Sequence, residues 1–338
     1  MSRSRRKAPD PPDGDGTVDD DNVNDDADVD IAPIDFDADF DADIDVDEIR
    51  DVEIATPDLP PGRFVQLGDR GVVVVRDFGE PANLHGPPIA LLHGWTASAD
   101  LNWFRCYEEL GKHHRVFAFD HRGHAGGLRT DAPFRLEDCA DDVVDVASEL
   151  GIDRFIAVGY SMGGPIAQLT WHRHRDRVAG LVLCATAPYF STGRPEKLSF
   201  LGLAGLATLA RFAPIQAKEW LTEQLYLQRK SATWEPWAVK EASSHDWRML
   251  LEAGREIGSF SSMEWIEEVD VPTAVVITMR DRVIPLSRQA RLFDKIPNAA
   301  AFRVNGDHDA VVAGSEQFVP TLLRALDSVV ARLLEADR

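Results

Sequence analysis

The chain has 338 residues, 44% of them hydrophobic, enough to bury one large α/β domain or two small ones. A net charge of −21 excludes the basic footprint that nucleic-acid binding needs, and no uninterrupted apolar run is long enough to span a membrane. Cys106, Cys139 and Cys184 are widely spaced, match neither a CxxC pair nor a disulfide framework, and are expected as reduced core residues.

The charge is concentrated at the start. Residues 1–58 carry 21 acidic and 5 basic side chains, a net −16, which leaves the remainder only mildly acidic. The opening "MSRSRRKAPDPPDGDG" is basic at first but has no apolar segment after it, so no secretory signal is read and a cytoplasmic location is expected. From Asp35 to Asp47 aspartate alternates with apolar or small residues. A strand with seven aspartates on one face would repel itself, and aspartate is a poor strand former, so residues 1–58 are expected to be a disordered tail of unknown partner. A calcium loop starting at Asp43 fails its template, with Glu48 where glycine is needed and Ile54 where glutamate is needed.

From about residue 63 short apolar runs alternate with amphipathic stretches. In chain order the expected strands are "FVQL", "GVVVVRDFG", "PIALLHG", "RVFAFD", "RFIAVGY", "GLVLCAT", "TAVVITM" and "AAFRV", with helices over 135–150, 162–175, 286–295 and 315–334. Alternation of this kind predicts a mostly parallel, doubly wound α/β sheet of eight strands, with function at the strands' carboxyl ends. Residues 189–266 interrupt it: helical apolar text such as "LSFLGLAGLATLARF" and "WRMLLEAGREIGSF" replaces the strands, and five of the eight tryptophans fall inside. The domain plan is therefore a tail over 1–58, core over 59–188 and 267–338, and a helical cap insertion over 189–266. Most of the cap's aromatics would form its own small core, and those facing the sheet would line an apolar pocket.

The segment "GYSMGG" at 159–164 matches G-x-S-x-G between an expected strand and an expected helix, the setting of a nucleophile elbow that exposes Ser161 on a tight turn. A serine hydroxyl needs a base. Of ten histidines, His308 in "VNGDHDAVV" is best placed, just past the last strand; His113 and His114 precede a strand, His172 and His174 sit late on the helix after the elbow, and His245 lies in the insertion. The base needs an acid, and Asp281 in "MRDRVIP" follows the preceding strand, giving the chain order Ser161, Asp281, His308; Asp307 and Asp309 are read as loop or cap residues. For the oxyanion, "LLHGWTAS" offers the backbone NH of Trp95, paired with the NH of Met162 after the nucleophile. No metal-ligand spacing is present, and neither metal nor cofactor is expected.

With these residues in view, 63–338 resembles the α/β-hydrolase family: "HGW" at 93–95, "DHRGHAGG" at 120–127, "GYSMGG" at 159–164, "RDRVIP" at 280–285 and "GDH" at 306–308. The resemblance implies the α/β-hydrolase fold, Ser161 as nucleophile, Asp281 as acid, His308 as base, the Trp95 and Met162 amides as oxyanion donors, and a structural His93. Trp95 and Tyr160 are expected to contact substrate. The sequence departs from the family pattern at Ala125, where glycine is frequent, and at Asp307, where a double glycine is common. Serine at the elbow disfavours dehalogenases and epoxide hydrolases, which use aspartate there. The expected activity is cleavage of a carboxylic ester of a small to medium hydrophobic molecule through an acyl-enzyme. Enol-lactonase, carbon–carbon hydrolase and cofactor-free perhydrolase share the triad, and a non-catalytic ligand receptor or interaction module stays open.

Overall fold

The apolar runs become eight strands: β1 (Gly62–Gln66), β2 (Val72–Asp77), β3 (Ile89–Leu92), β4 (Val116–Phe119), β5 (Phe155–Tyr160), β6 (Val178–Cys184), β7 (Thr273–Thr278) and β8 (Ala300–Val304). In this computed structural model the described residues are 57–193, 237, 238, 241 and 244–336, all within one unit running Glu53–Arg338. The aspartate-rich segment and most of the 189–266 insertion lie outside the described residues.

The strands form a single sheet in the order β1-β2-β4-β3-β5-β6-β7-β8. β2 runs antiparallel to both β1 and β4, and every other pairing is parallel. The expected strands and helices are found within two residues at each end. α3 (Leu136–Glu149), α4 (Gly163–Arg173), α6 (Leu286–Lys295) and α7 (Ser315–Ala336) are those expected; α5 (Trp247–Ser259) lies in the insertion's return leg. Two short helices, α1 (Ala99–Trp103) and α2 (Tyr107–Gly111), were not expected, because five residues are too few to display a 3.6-residue period. Their local signal is a cap: Ser98 accepts a hydrogen bond from the Leu101 NH and Asp100 occupies the first turn.

Strands β5, β6 and β7 are buried at every position, as parallel strands covered on both faces must be. Alternate side chains then feed two cores. Phe155 and Ala157 pack with α3, α4, α5 and α6 on one face, while Ile156, Val158 and Tyr160 pack with α1, α2 and α7 on the other. Each fully buried Val, Leu, Ile or Phe contributes about 1.5–3 kcal/mol. The three cysteines are free and buried, as expected.

Residues 244–246, just ahead of α5, are stitched to the loop after β4. The Asp246 NH donates to the Gly123 carbonyl at 2.7 Å, the Ala125 NH donates to His245 Nδ1 at 2.9 Å, and Arg129 donates to the Ser244 carbonyl at 2.8 Å. Tyr189 and Ser261 pair through an isolated antiparallel bridge. Ala125, the departure noted above, sits at φ +31°, so the alanine adopts the left-handed backbone that usually selects glycine.

Candidate active site

The elbow is built by backbone crowding. Ser161 follows β5 at φ +52°, a conformation that costs a non-glycine residue of order 1–3 kcal/mol and persists only when its surroundings enforce it. They do: the Ser161 NH donates to the Cys184 carbonyl (3.0 Å), and its own carbonyl accepts from the Gly164 NH (2.9 Å) and Thr186 Oγ1 (2.8 Å). A methyl group on Gly159 would fall on the Gly163 carbonyl, and one on Gly163 would fall on the Leu92 carbonyl. The glycines let β5, α4 and β3 approach closely enough to push the serine out. Because the obstacle at Gly163 is backbone, Gly163→Ala is expected to cost at least about 3 kcal/mol, seen as a Tm lowered by about 6–12 °C in a thermal melt. A Tm within 2 °C of the parent would mean that the turn has room to spare.

The loops after β7 and β8 bring the other candidates to this point. His308 Nε2 lies 2.9 Å from Ser161 Oγ, and His308 Nδ1 lies 2.9 Å from Asp281 Oδ2. The Asp281 side chain is fully buried while the imidazole keeps partial exposure. Asp281 Oδ2 also accepts from Thr278 Oγ1 (2.6 Å) and Gln289 Nε2 (3.3 Å), and Oδ1 accepts from the NH groups of Val283 (2.9 Å) and Ile284 (2.8 Å). Burial pushes this carboxyl up, but the hydrogen bond and charge of His308, with the Thr278 and Ile284 donors, outweigh it and hold the group below its ordinary value. Gln289, fully buried in α6, also accepts from the Thr278 NH (3.0 Å) and donates to the Ile284 carbonyl (2.8 Å), so it fastens the loop carrying Asp281 to the end of β7. Sequence reading missed Gln289: an apolar-faced helix gives no sign of which polar residue turns inward.

Gly94 places the loop after β3 against the elbow, since a Cβ there would lie 3.3 Å from Ser161 Cβ. Among the described residues no backbone acceptor takes the amides of Trp95 or Met162, which leaves both as candidate oxyanion donors. The Trp95 side chain is partly buried and its indole Nε1 donates to the Leu250 carbonyl at 2.8 Å, tying this loop to α5. Tyr160 is placed differently from its expected substrate contact. Its side chain is only 3% exposed, packed among Trp103, Phe318 and His308, and its hydroxyl donates to the His308 carbonyl at 2.6 Å. The reason is strand alternation: in β5 it shares the face of Ile156 and Val158, which points into the core.

Four further histidines gather beside the site. His93 donates from Nδ1 to the Gly94 carbonyl (2.8 Å) and accepts at Nε2 from the His121 NH (2.9 Å), so it supports the turn between the two loops, in line with its structural reading. The His93 ring lies 4.3 Å from His121 and 5.2 Å from His124, and His124 lies 5.4 Å from His245. All four are buried, and burial holds each below its ordinary value, His121 at about 3 and His245 at about 4. Among the described residues no group of His, Cys, Asp and Glu has the arrangement of a metal-ligand set.

Comparison with known proteins agrees with this architecture. Residues 87–311 match the family model described as alpha/beta hydrolase fold, and the chain belongs to that family. It is 25% identical over 270 residues to a poly(3-hydroxyalkanoate) depolymerase of Ectopseudomonas oleovorans, covering 78% of this chain and 92% of the relative. Similar solved structures include a thermophilic esterase from Thermogutta terrifontis (TM-score 0.62, 21% identity, 80% of this chain and 99% of that one). Another is the enol-lactonase from Burkholderia xenovorans LB400 (TM-score 0.62, 21% identity, 78% and 100%). These structural likenesses concern the fold. None of the helices among the described residues is long and apolar enough to cross a membrane.

Proposed function

We propose that this chain is a serine hydrolase that cleaves a carboxylic ester of a small to medium hydrophobic molecule. The observation carrying the proposal is the continuous line from Ser161 Oγ through the two ring nitrogens of His308 to Asp281, each step 2.9 Å. His308 Nε2 takes the Ser161 proton as Oγ bonds to the ester carbonyl carbon, and the oxygen becomes an oxyanion held by the Trp95 and Met162 amides. Collapse of this intermediate expels the alcohol, protonated by His308, and leaves the acyl group on Ser161. Water, deprotonated by the same nitrogen, then attacks the acyl carbon and frees the acid and the serine. Asp281 stays ionised throughout, in keeping with its lowered pKa, and steadies the imidazolium.

The insertion over 189–266 is proposed as the element that sets acyl-chain preference, supported by its apolar text and by the Trp95 indole bond to α5. Residues 1–58 are proposed as an accessory tail. Assay of p-nitrophenyl esters from acetate to palmitate tests the whole reading. Turnover with an early burst of nitrophenol equal to the enzyme concentration is expected for the chain length whose deacylation is slowest, and a single optimum along the series would size the pocket. Absence of turnover on every ester and on simple lactones would overturn it.

A further inference from the structure

The two 2.9 Å contacts of His308 must be kept by a loop that has no regular structure between the end of β8 at Val304 and the start of α7 at Ser315. What holds it is the peptide of His308 itself. Its NH donates to Asp307 Oδ1 at 2.7 Å, and its carbonyl accepts from the Tyr160 hydroxyl at 2.6 Å. Asp307 also reaches the acid's loop, accepting from the Arg282 NH (3.0 Å) at Oδ1 and from Arg282 Nε (2.5 Å) at Oδ2. The residue before the nucleophile thus grips one side of the base's peptide, and the residue after the acid grips the other through Asp307.

Resting on the triad reading above, we infer that Tyr160 and Asp307 are positioning residues that set the reach of His308 between Ser161 and Asp281. Tyr160 is suited to the task because its ring is clamped by Trp103, Phe318 and the His308 ring, so the hydroxyl has a fixed origin. Burial pushes this phenol well above its ordinary value, so it remains a donor wherever the enzyme works. Asp307 occupies the position where the family resemblance leads one to expect glycine, and a glycine there would offer neither carboxylate oxygen. Displacement of a catalytic group by about 1 Å costs about 100-fold in rate, and loss of the phenol leaves a buried carbonyl without its donor.

The test uses Tyr160→Phe, Asp307→Ala and Asp307→Asn in the full-length chain. Two quantities are read for each: the second-order rate of Ser161 labelling by a fluorophosphonate probe, and kcat and KM per labelled site. Tyr160→Phe and Asp307→Ala are expected to label about 10- to 100-fold more slowly and to lose kcat by a similar factor with KM within twofold. Asp307→Asn, which keeps an oxygen for both NH donors, is expected to recover most of the loss. Circular dichroism and Tm report folding separately. If Tyr160→Phe fails to fold, the Asp307 pair carries the test alone, because its side chain is at the partly exposed end of the loop. Labelling and kcat within twofold of the parent in the folded variants would overturn the inference. Equal labelling of the parent and Ser161→Ala would instead overturn the triad reading beneath it.

Discussion

Replacing Ser161 with alanine is expected to lower kcat on the best p-nitrophenyl ester by about 10⁵- to 10⁶-fold, leaving KM and Tm close to those of the parent. The size follows from the proposed mechanism: without Oγ no acyl-enzyme could form, and His308 would be left to activate water from a position arranged for a hydroxyl. The fold should tolerate the change, since alanine at φ +52° bears the same backbone strain as serine and the turn is fixed by main-chain bonds to Cys184 and Gly164. His308→Ala is expected to fall as far, and the double variant no further, because the two groups act as one unit. Residual kcat within tenfold of the parent would remove Ser161 from the chemistry.

Acidification is expected to unfold the protein steeply. His93, His121, His124 and His245 are buried and neutral, with folded-state values below the ordinary imidazole range. In the unfolded chain each binds a proton near pH ~6.5. The unfolded state therefore takes up more protons as pH falls below that point, and stability is lost between about pH 6.5 and the folded-state values of about 3 and 4 for His121 and His245. Asp120 acts in the opposite sense. Burial raises its carboxyl to about 7, above the unfolded value, so it contributes stability at low pH that is lost as pH rises through 7. From these five groups alone, four protons taken up on unfolding against one released leave about three, or about 4 kcal/mol per pH unit, in a domain whose whole stability is about 5–15 kcal/mol. Denaturant midpoints at pH 7.5, 6.5, 5.5 and 4.5 check this. His121→Phe, in a ring site where neither nitrogen has a hydrogen-bond partner among the described residues, is expected to flatten the slope by about one proton. A parent slope below one proton would show that these rings are not held neutral.

Ser161 was legible because an elbow announces itself locally: glycines at 159, 163 and 164 around one serine, after an apolar strand and before a helix. The eight strands were legible because runs such as "RFIAVGY" and "TAVVITM" are buried on both faces and therefore apolar throughout. The histidine cluster was not legible. His245 reads as part of the insertion, and only the stitching of Ser244 and Asp246 to the loop after β4 carries it to His124. The inward packing of Tyr160 was not legible for a similar reason, since its neighbour Ser161 is turned outward by the very bend that ends the alternation of β5.

The strand and helix plan and the chain order Ser161, Asp281, His308 are readable from the residues alone, because burial pattern, turn residues and motif spacing are properties of neighbouring residues. What only the tertiary structure brings about is that His308 meets a serine 147 residues away, that the Tyr160 hydroxyl reaches the His308 carbonyl from inside the core, and that Asp307 links the loop after β7 to the loop after β8. Those contacts depend on how parallel strands stack their carboxyl ends side by side. Strand order and register set that geometry, and neither is written in any local stretch of residues.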